Sequence, residues 1–147
     1  MRVITSLLTL LFLAALPGAL ARDGELLVQG MLVVASNKTV PTDEKLAPYE
    51  PNLKNALRQE SFRSAGEGSA ALAMPGVSTL SLSDRHRLEI EGLRANQNVV
   101  RLRVKWFDGK TELLNTTLRI LRGTPAILAG PKTGDGDEIY AILVLVL

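Results

Sequence analysis

The chain has 147 residues, 22% of them charged, with 17 Lys and Arg against 15 Asp and Glu, a single His and no Cys. A formal net charge of +2 provides no global attraction to nucleic acid. The lack of Cys excludes a disulfide scaffold, and together with the lone His it excludes a conventional zinc site.

Residues 1–21 read as a secretory signal peptide. Arg2 supplies the positive start, Val3 to Ala15 is an apolar run, Pro17 and Gly18 break it, and Ala19-Leu20-Ala21 matches the small-x-small cleavage pattern. The run is short of the ~20 residues of a spanning helix. No Cys follows it, so a lipid-anchored lipoprotein is excluded. Cleavage after Ala21 leaves residues 22–147, expected to form one domain with a periplasmic or secreted location. An exported chain without disulfides depends wholly on its core, which suits a bacterial route.

Glu25 to Ser36 is aliphatic on both parities and reads as a strand buried on both faces, bent at Gly30. Asn37 to Pro51, with three prolines and the Asp43-Glu44 pair, reads as a surface loop. Pro51 then opens a short helix near 51–58, with Leu53, Ala56 and Leu57 at helical spacing. From Ser61 onward, strands alternate with turn signals. Ser61 to Ala65 and Ser69 to Met74 flank Gly66-Glu67-Gly68, Pro75-Gly76 turns, and Val77 to Leu82 runs to the Ser83-Asp84-Arg85 turn. His86 to Leu93 returns with Leu88 and Ile90 inward, and Arg94 to Gln97 is the next turn.

Asn98 to Arg122 is the clearest fold signal, a hairpin bent at Asp108-Gly109. Val100, Leu102, Val104 and Trp106 alternate with Arg101, Arg103 and Lys105, so one face is apolar and the other basic. The returning arm carries Leu114, Thr116, Leu118 and Ile120 on one parity. Sharing an apolar face between the arms requires even-numbered residues to pair with even ones. A plain two-residue loop pairing Phe107 with Lys110 fails that condition; a three-residue loop with Gly109 at positive φ and a bulge meets it. Ala126 to Ala129 is a short run, Gly130 to Asp137 a glycine-rich loop, and Ile139 to Leu147 a wholly apolar final strand. That last strand is expected inside a sheet, with one face on the opposing sheet and the other under the 37–58 loop and helix. The sum is an all-β antiparallel sandwich of seven to eight strands with one short helix.

Chemistry-bearing motifs are few. His86, between two arginines at a strand start, reads as a solvated strand-end residue and not as a general base. Gly134-Asp135-Gly136-Asp137-Glu138 has too few alternating acids for a calcium loop. Gly130-Pro131-Lys132-Thr133-Gly134 lacks the spacing and the following helix of a phosphate loop. The sequons at Asn37 and Asn115 read as chance matches. No catalytic residue, metal ligand or cofactor is assigned. The ligand-contact candidates are Arg101, Arg103 and Lys105, three cations along about 14 Å of one strand face. Set against that, surface charge runs usually do no more than solvate a sheet face. Trp106 continues the apolar parity and reads as a core anchor.

The order of the C-terminal third is a charged strand, the turn Trp106-Phe107-Asp108-Gly109-Lys110, a second strand, the run LRGTPAILAGP, a glycine-rich loop and an apolar last strand. Over residues 98–147, and more weakly from Leu53 to Leu82, it resembles small exported bacterial proteins of unknown function. The resemblance implies an all-β envelope protein and assigns no functional residue. The expected function is therefore a non-enzymatic envelope protein that binds or helps assemble a partner, either an anionic envelope component or another envelope protein. The alternative is a small eight-stranded outer-membrane barrel, for which five aromatics in the mature chain (Tyr49, Phe62, Trp106, Phe107 and Tyr140) are too few to build two girdles. A hydrolytic enzyme is a distant third.

Overall fold

The computed structural model describes residues 25–134 and 136–147. The signal-peptide assignment falls on residues 1–21 and lies outside them. Among the described residues there are eight strands: β1 Glu25–Ser36, β2 Ser61–Ala73, β3 Gly76–Ser81, β4 His86–Ala95, β5 Val99–Asp108, β6 Thr111–Leu121, β7 Ala126–Lys132 and β8 Ile139–Val146. They form two antiparallel four-stranded sheets, β2-β1-β8-β7 and β3-β4-β5-β6. This is the expected sandwich. The strands do not close into a barrel. The helix α1 spans Glu50–Leu57 and follows a 3-10 turn at Ala47–Tyr49. Among the described residues no helix is long and apolar enough to cross a membrane.

β8 lies between β1 and β7, inside its sheet. Side chains alternate across a strand. Ile142, Val144 and Val146 enter the core between the sheets, with Leu32, Leu88, Leu102 and Trp106. Ala141, Leu143 and Leu145 point the other way, into a second apolar layer with Leu46, Leu53, Leu57 and Phe62. The 37–58 segment thus covers the outer face of β8, as expected. The same cover explains why β1 alternates at its start and is buried at every position from Leu32 on.

Two local expectations are corrected. The Gly66-Glu67-Gly68 stretch is not a break between strands; β2 runs continuously through it. A Cβ on Gly66 would lie 1.9 Å from the Leu82 carbonyl oxygen, and one on Gly68 2.4 Å from that of Ser81. These glycines therefore let β2 cross close to the end of β3, the close backbone approach that interior strand glycines serve. Ala65 is the extra residue of a bulge, since Leu32 faces Gly66 and Val33 faces Ser64.

In the central hairpin, Val100 faces Ile120, Leu102 faces Leu118, Val104 faces Thr116 and Trp106 faces Leu114. The even-with-even register and Gly109 at φ 59° are as expected. The loop itself is different. Asp108 faces Thr111 across Gly109-Lys110, and the extra residue is Leu113 within β6. The tight turn is kept because its neighbour holds it. Gly109 N–H donates to the Arg85 carbonyl at 2.7 Å, and Arg85 Nε meets Asp108 Oδ1 at 2.9 Å.

Candidate functional site

Arg101, Arg103 and Lys105 lie together on the outer face of the β3-β4-β5-β6 sheet, opposite the parity of the buried Val100, Leu102 and Val104. The structure then divides them. Arg103 Nη1 is 3.3 Å from Glu91 Oε2, and Lys105 faces Glu89 in the β4–β5 register. Carboxylates on β4 thus serve the half of the face nearer the β5–β6 turn. Arg101 stands in the other half.

There Arg101 faces Arg94 on β4 and Arg119 on β6. Three arginines cross three adjacent strands in a row, about 10 Å from end to end at ordinary strand spacing. Among the described residues none of the three forms an ion pair. They line a depression of about 600 Å³ with Asn96 and Thr117. Arg122 joins the same end of the sheet, donating from Nη2 to the Asn96 carbonyl at 3.2 Å. Like charges directly opposite one another destabilise a sheet. An uncompensated arginine row is therefore an arrangement that an anion would relieve. Guanidinium groups present forked donors suited to carboxylate or phosphate oxygens.

Sequence reasoning identified Arg101 and missed its two neighbours. Arg119 was placed on the same face by its parity alone, while its position opposite Arg101 needs the observed Val100–Ile120 pairing. Arg94 was not so placed. Without a bulge, continuing from the Gly92–Leu102 pair would set Leu93 opposite Arg101; the extra residue Leu93 moves Arg94 there instead.

His86 is corrected. It is buried at 5% exposure, not solvated. The Trp106 indole N–H donates to His86 Nδ1 at 3.0 Å, and the Tyr140 ring centroid lies 4.7 Å from the imidazole. Nδ1 as acceptor places the proton of the neutral ring on Nε2. Trp106 is fully buried, so the bond satisfies a donor with no access to water. Burial pushes the imidazole below the ordinary histidine range; Asp108 opposes this and Arg85 adds to it. A lowered folded-state pKa means that the unfolded chain takes up the proton first. The contribution of His86 is then complete above about pH 6.5 and is lost as pH falls through the folded value. With one His and no Cys, this is the only side chain whose ordinary pKa falls between about 5 and 7. The denaturant midpoint is expected to fall between pH 7 and pH 5, and His86→Gln to flatten that slope. A slope that survives the substitution would place the titration elsewhere.

The fold and this face define a class: an antiparallel two-sheet sandwich, one of whose sheets carries a row of unneutralised arginines at one end of its outer face. No family model, no curated protein and no solved structure matches the chain.

Proposed function

We propose that this is an exported, non-enzymatic binding protein of the cell envelope, and that the Arg94–Arg101–Arg119 row holds an anionic partner. The observation that carries this reading is the row itself. Three like charges in cross-strand register, with carboxylates supplied elsewhere on the same face but not here, cost stability without a structural return. The signal-peptide features of residues 1–21 support export, and a chain without Cys suits a bacterial route.

An anion-binding arginine row makes binding and stability respond in opposite directions to charge reversal. Arg101→Glu would place a carboxylate between two arginines, so it should leave the protein as stable or more stable, by ~0.2–1 kcal/mol per cross-strand pair. The same change should weaken salt-sensitive retention of the purified mature chain on envelope fractions. Combining Arg94→Glu, Arg101→Glu and Arg119→Glu should abolish that retention. Arg103→Glu with Lys105→Glu removes cations that already face carboxylates and should leave most of it. Equal loss in both sets would mean that overall charge governs retention, not the row. Unchanged retention in the triple variant would leave the arginines a solvated face.

A further inference from the structure

The four sheet edges are not equally protected. β2 and β3 run against each other at the corner where Gly66 and Gly68 approach Leu82 and Ser81. β7 is short, contains Pro131 and an irregularity between Ala129 and Lys132, and has α1 beside it. β6 has eleven residues and no proline; among the described residues no strand is hydrogen-bonded to its outer side, and its contacts with β7 and β8 are few. Its one irregularity, at Leu113, is near the turn. Edge strands of natural proteins are usually blunted by such devices, because an open edge pairs with other chains.

Which groups are open follows from one hydrogen bond. Arg122 N–H donates to the Asn98 carbonyl at 2.9 Å, so 98 and 122 are a hydrogen-bonded pair. Antiparallel ladders alternate, so Thr116, Leu118 and Ile120 turn their backbone groups toward β5. Asn115, Thr117 and Arg119 turn theirs outward. The same edge is incomplete on its inner side. Leu114 and Leu118 pack on the core but are only partly buried. The arginine row ends here too, on Arg119.

We infer that β6 is a docking strand: an extended segment of a partner protein adds to its free edge, carrying a carboxylate opposite Arg119 and apolar residues at alternate positions over Leu114 and Leu118. This deepens the reading of the arginine row as an anion site and rests on it. An alternating series of backbone donors and acceptors is complemented by another peptide backbone, which a lipid headgroup or a polysaccharide does not supply. The carboxylate follows from charge. The residue opposite Arg119 falls on the outer face and extends the arginine row, where an acid completes a favourable cross-strand pair. Its neighbours on either side fall on the inner face, over the open margin of the core.

The test uses the purified mature chain and a synthetic ten-residue peptide of alternating Val and Thr with one central Glu, beside a twin with Lys at that position. The Glu peptide should bind at least tenfold more tightly than its twin, and Arg119→Glu should cancel or reverse the preference. Thr117→Pro removes an outward N–H at a position where an edge tolerates proline, and should cost at least tenfold for both peptides. A Glu peptide N-methylated at alternate amides, on the set that faces β6, should fail against the unaltered protein; this arm depends on no variant folding. Thr117→Pro keeps every arginine. If it loses the peptide but retains envelope binding, β6 docking stands and the partner on envelope fractions is held by the row alone. Equal binding of the two peptides, or full binding by the N-methylated one, would overturn the inference. So would sedimentation showing a dimer of the mature chain that the Glu peptide cannot dissociate, because the edge would then belong to a second copy.

Discussion

A chain ending at Glu138 is expected to be insoluble or degraded, whereas a chain ending at Val146 should fold. Among the described residues β7 pairs with β8 alone, and β8 is one of the two partners of β1. Deleting it detaches β7, leaves β1 as an open edge and halves the sheet. It also strips both apolar layers, because Ile142, Val144 and Val146 belong to the central core and Ala141, Leu143 and Leu145 to the layer under α1. Each large aliphatic side chain contributes about 1.5–3 kcal/mol on burial. Five such side chains together are comparable to the whole ~5–15 kcal/mol by which a domain is stable. Leu147, by contrast, is 53% exposed, and its removal forfeits one backbone bond, from its N–H to the Leu27 carbonyl at 2.9 Å. Solubility on expression and a thermal melt of each truncation check this. A Glu138 truncation that stays soluble and melts cooperatively near the intact protein would make β8 a detachable tail.

The place of β8 was legible because its sequence is extreme. An uncharged run, apolar on both parities, has no stable position on a surface, and only one segment of the chain had the length and amphipathic spacing to cover its second face. Parity also places the central hairpin, where Val100 to Trp106 and Leu114 to Ile120 must share a face. It fails where a close approach between elements sets the structure. Gly66 and Gly68 look like a turn signal locally, yet their function is to let β2 pass Leu82 and Ser81, and nothing near them in sequence names those neighbours. The two-residue loop at Gly109-Lys110 was missed for a related reason. A bulge placed in the strand corrects the parity as well as a longer loop does, and the choice between them is fixed by Arg85, more than twenty residues earlier.

The candidate site divides in the same way. The basic stripe of Arg101, Arg103 and Lys105 is a property of one strand and was visible in its alternation. Which of those charges is free is a property of three strands. Glu91 and Glu89 lie beside Arg103 and Lys105 only after β4 and β5 are aligned, and Arg94 reaches Arg101 only through the Leu93 bulge. His86 was misread because two flanking arginines mark an exposed segment. Its own side chain is on the inward parity with Leu88 and Ile90, and the buried Trp106 indole requires an acceptor there.

The second large effect is expected at Gly130. A Cβ built there would lie 2.2 Å from Cη2 and 2.4 Å from Cζ3 of Trp106, and 2.9 Å from the Tyr140 carbonyl oxygen. The indole has no easy retreat. Trp106 is fully buried, its N–H is held by His86, and the Tyr140 oxygen is backbone of the neighbouring strand. Overpacking of a well-filled core costs about 1–3 kcal/mol and occasionally more. Gly130→Val should therefore lie at or above the upper end, and Gly130→Ala within the range. Trp106→Ala alone should cost about 3–5 kcal/mol, as expected for removing a large buried aromatic. The two changes are not independent, because the small residue at 130 exists to admit the indole. In the Trp106→Ala background, Gly130→Ala should cost little, or regain some stability by filling the space left behind. A coupling of about 0.5–3 kcal/mol is the expected size for residues in direct contact. Urea unfolding followed by far-ultraviolet circular dichroism measures all four corners of the cycle, since Trp106 is the only tryptophan and its fluorescence is lost in two of them. Costs that simply add would show that the strain at Gly130 is borne by the Tyr140 backbone and not by the indole.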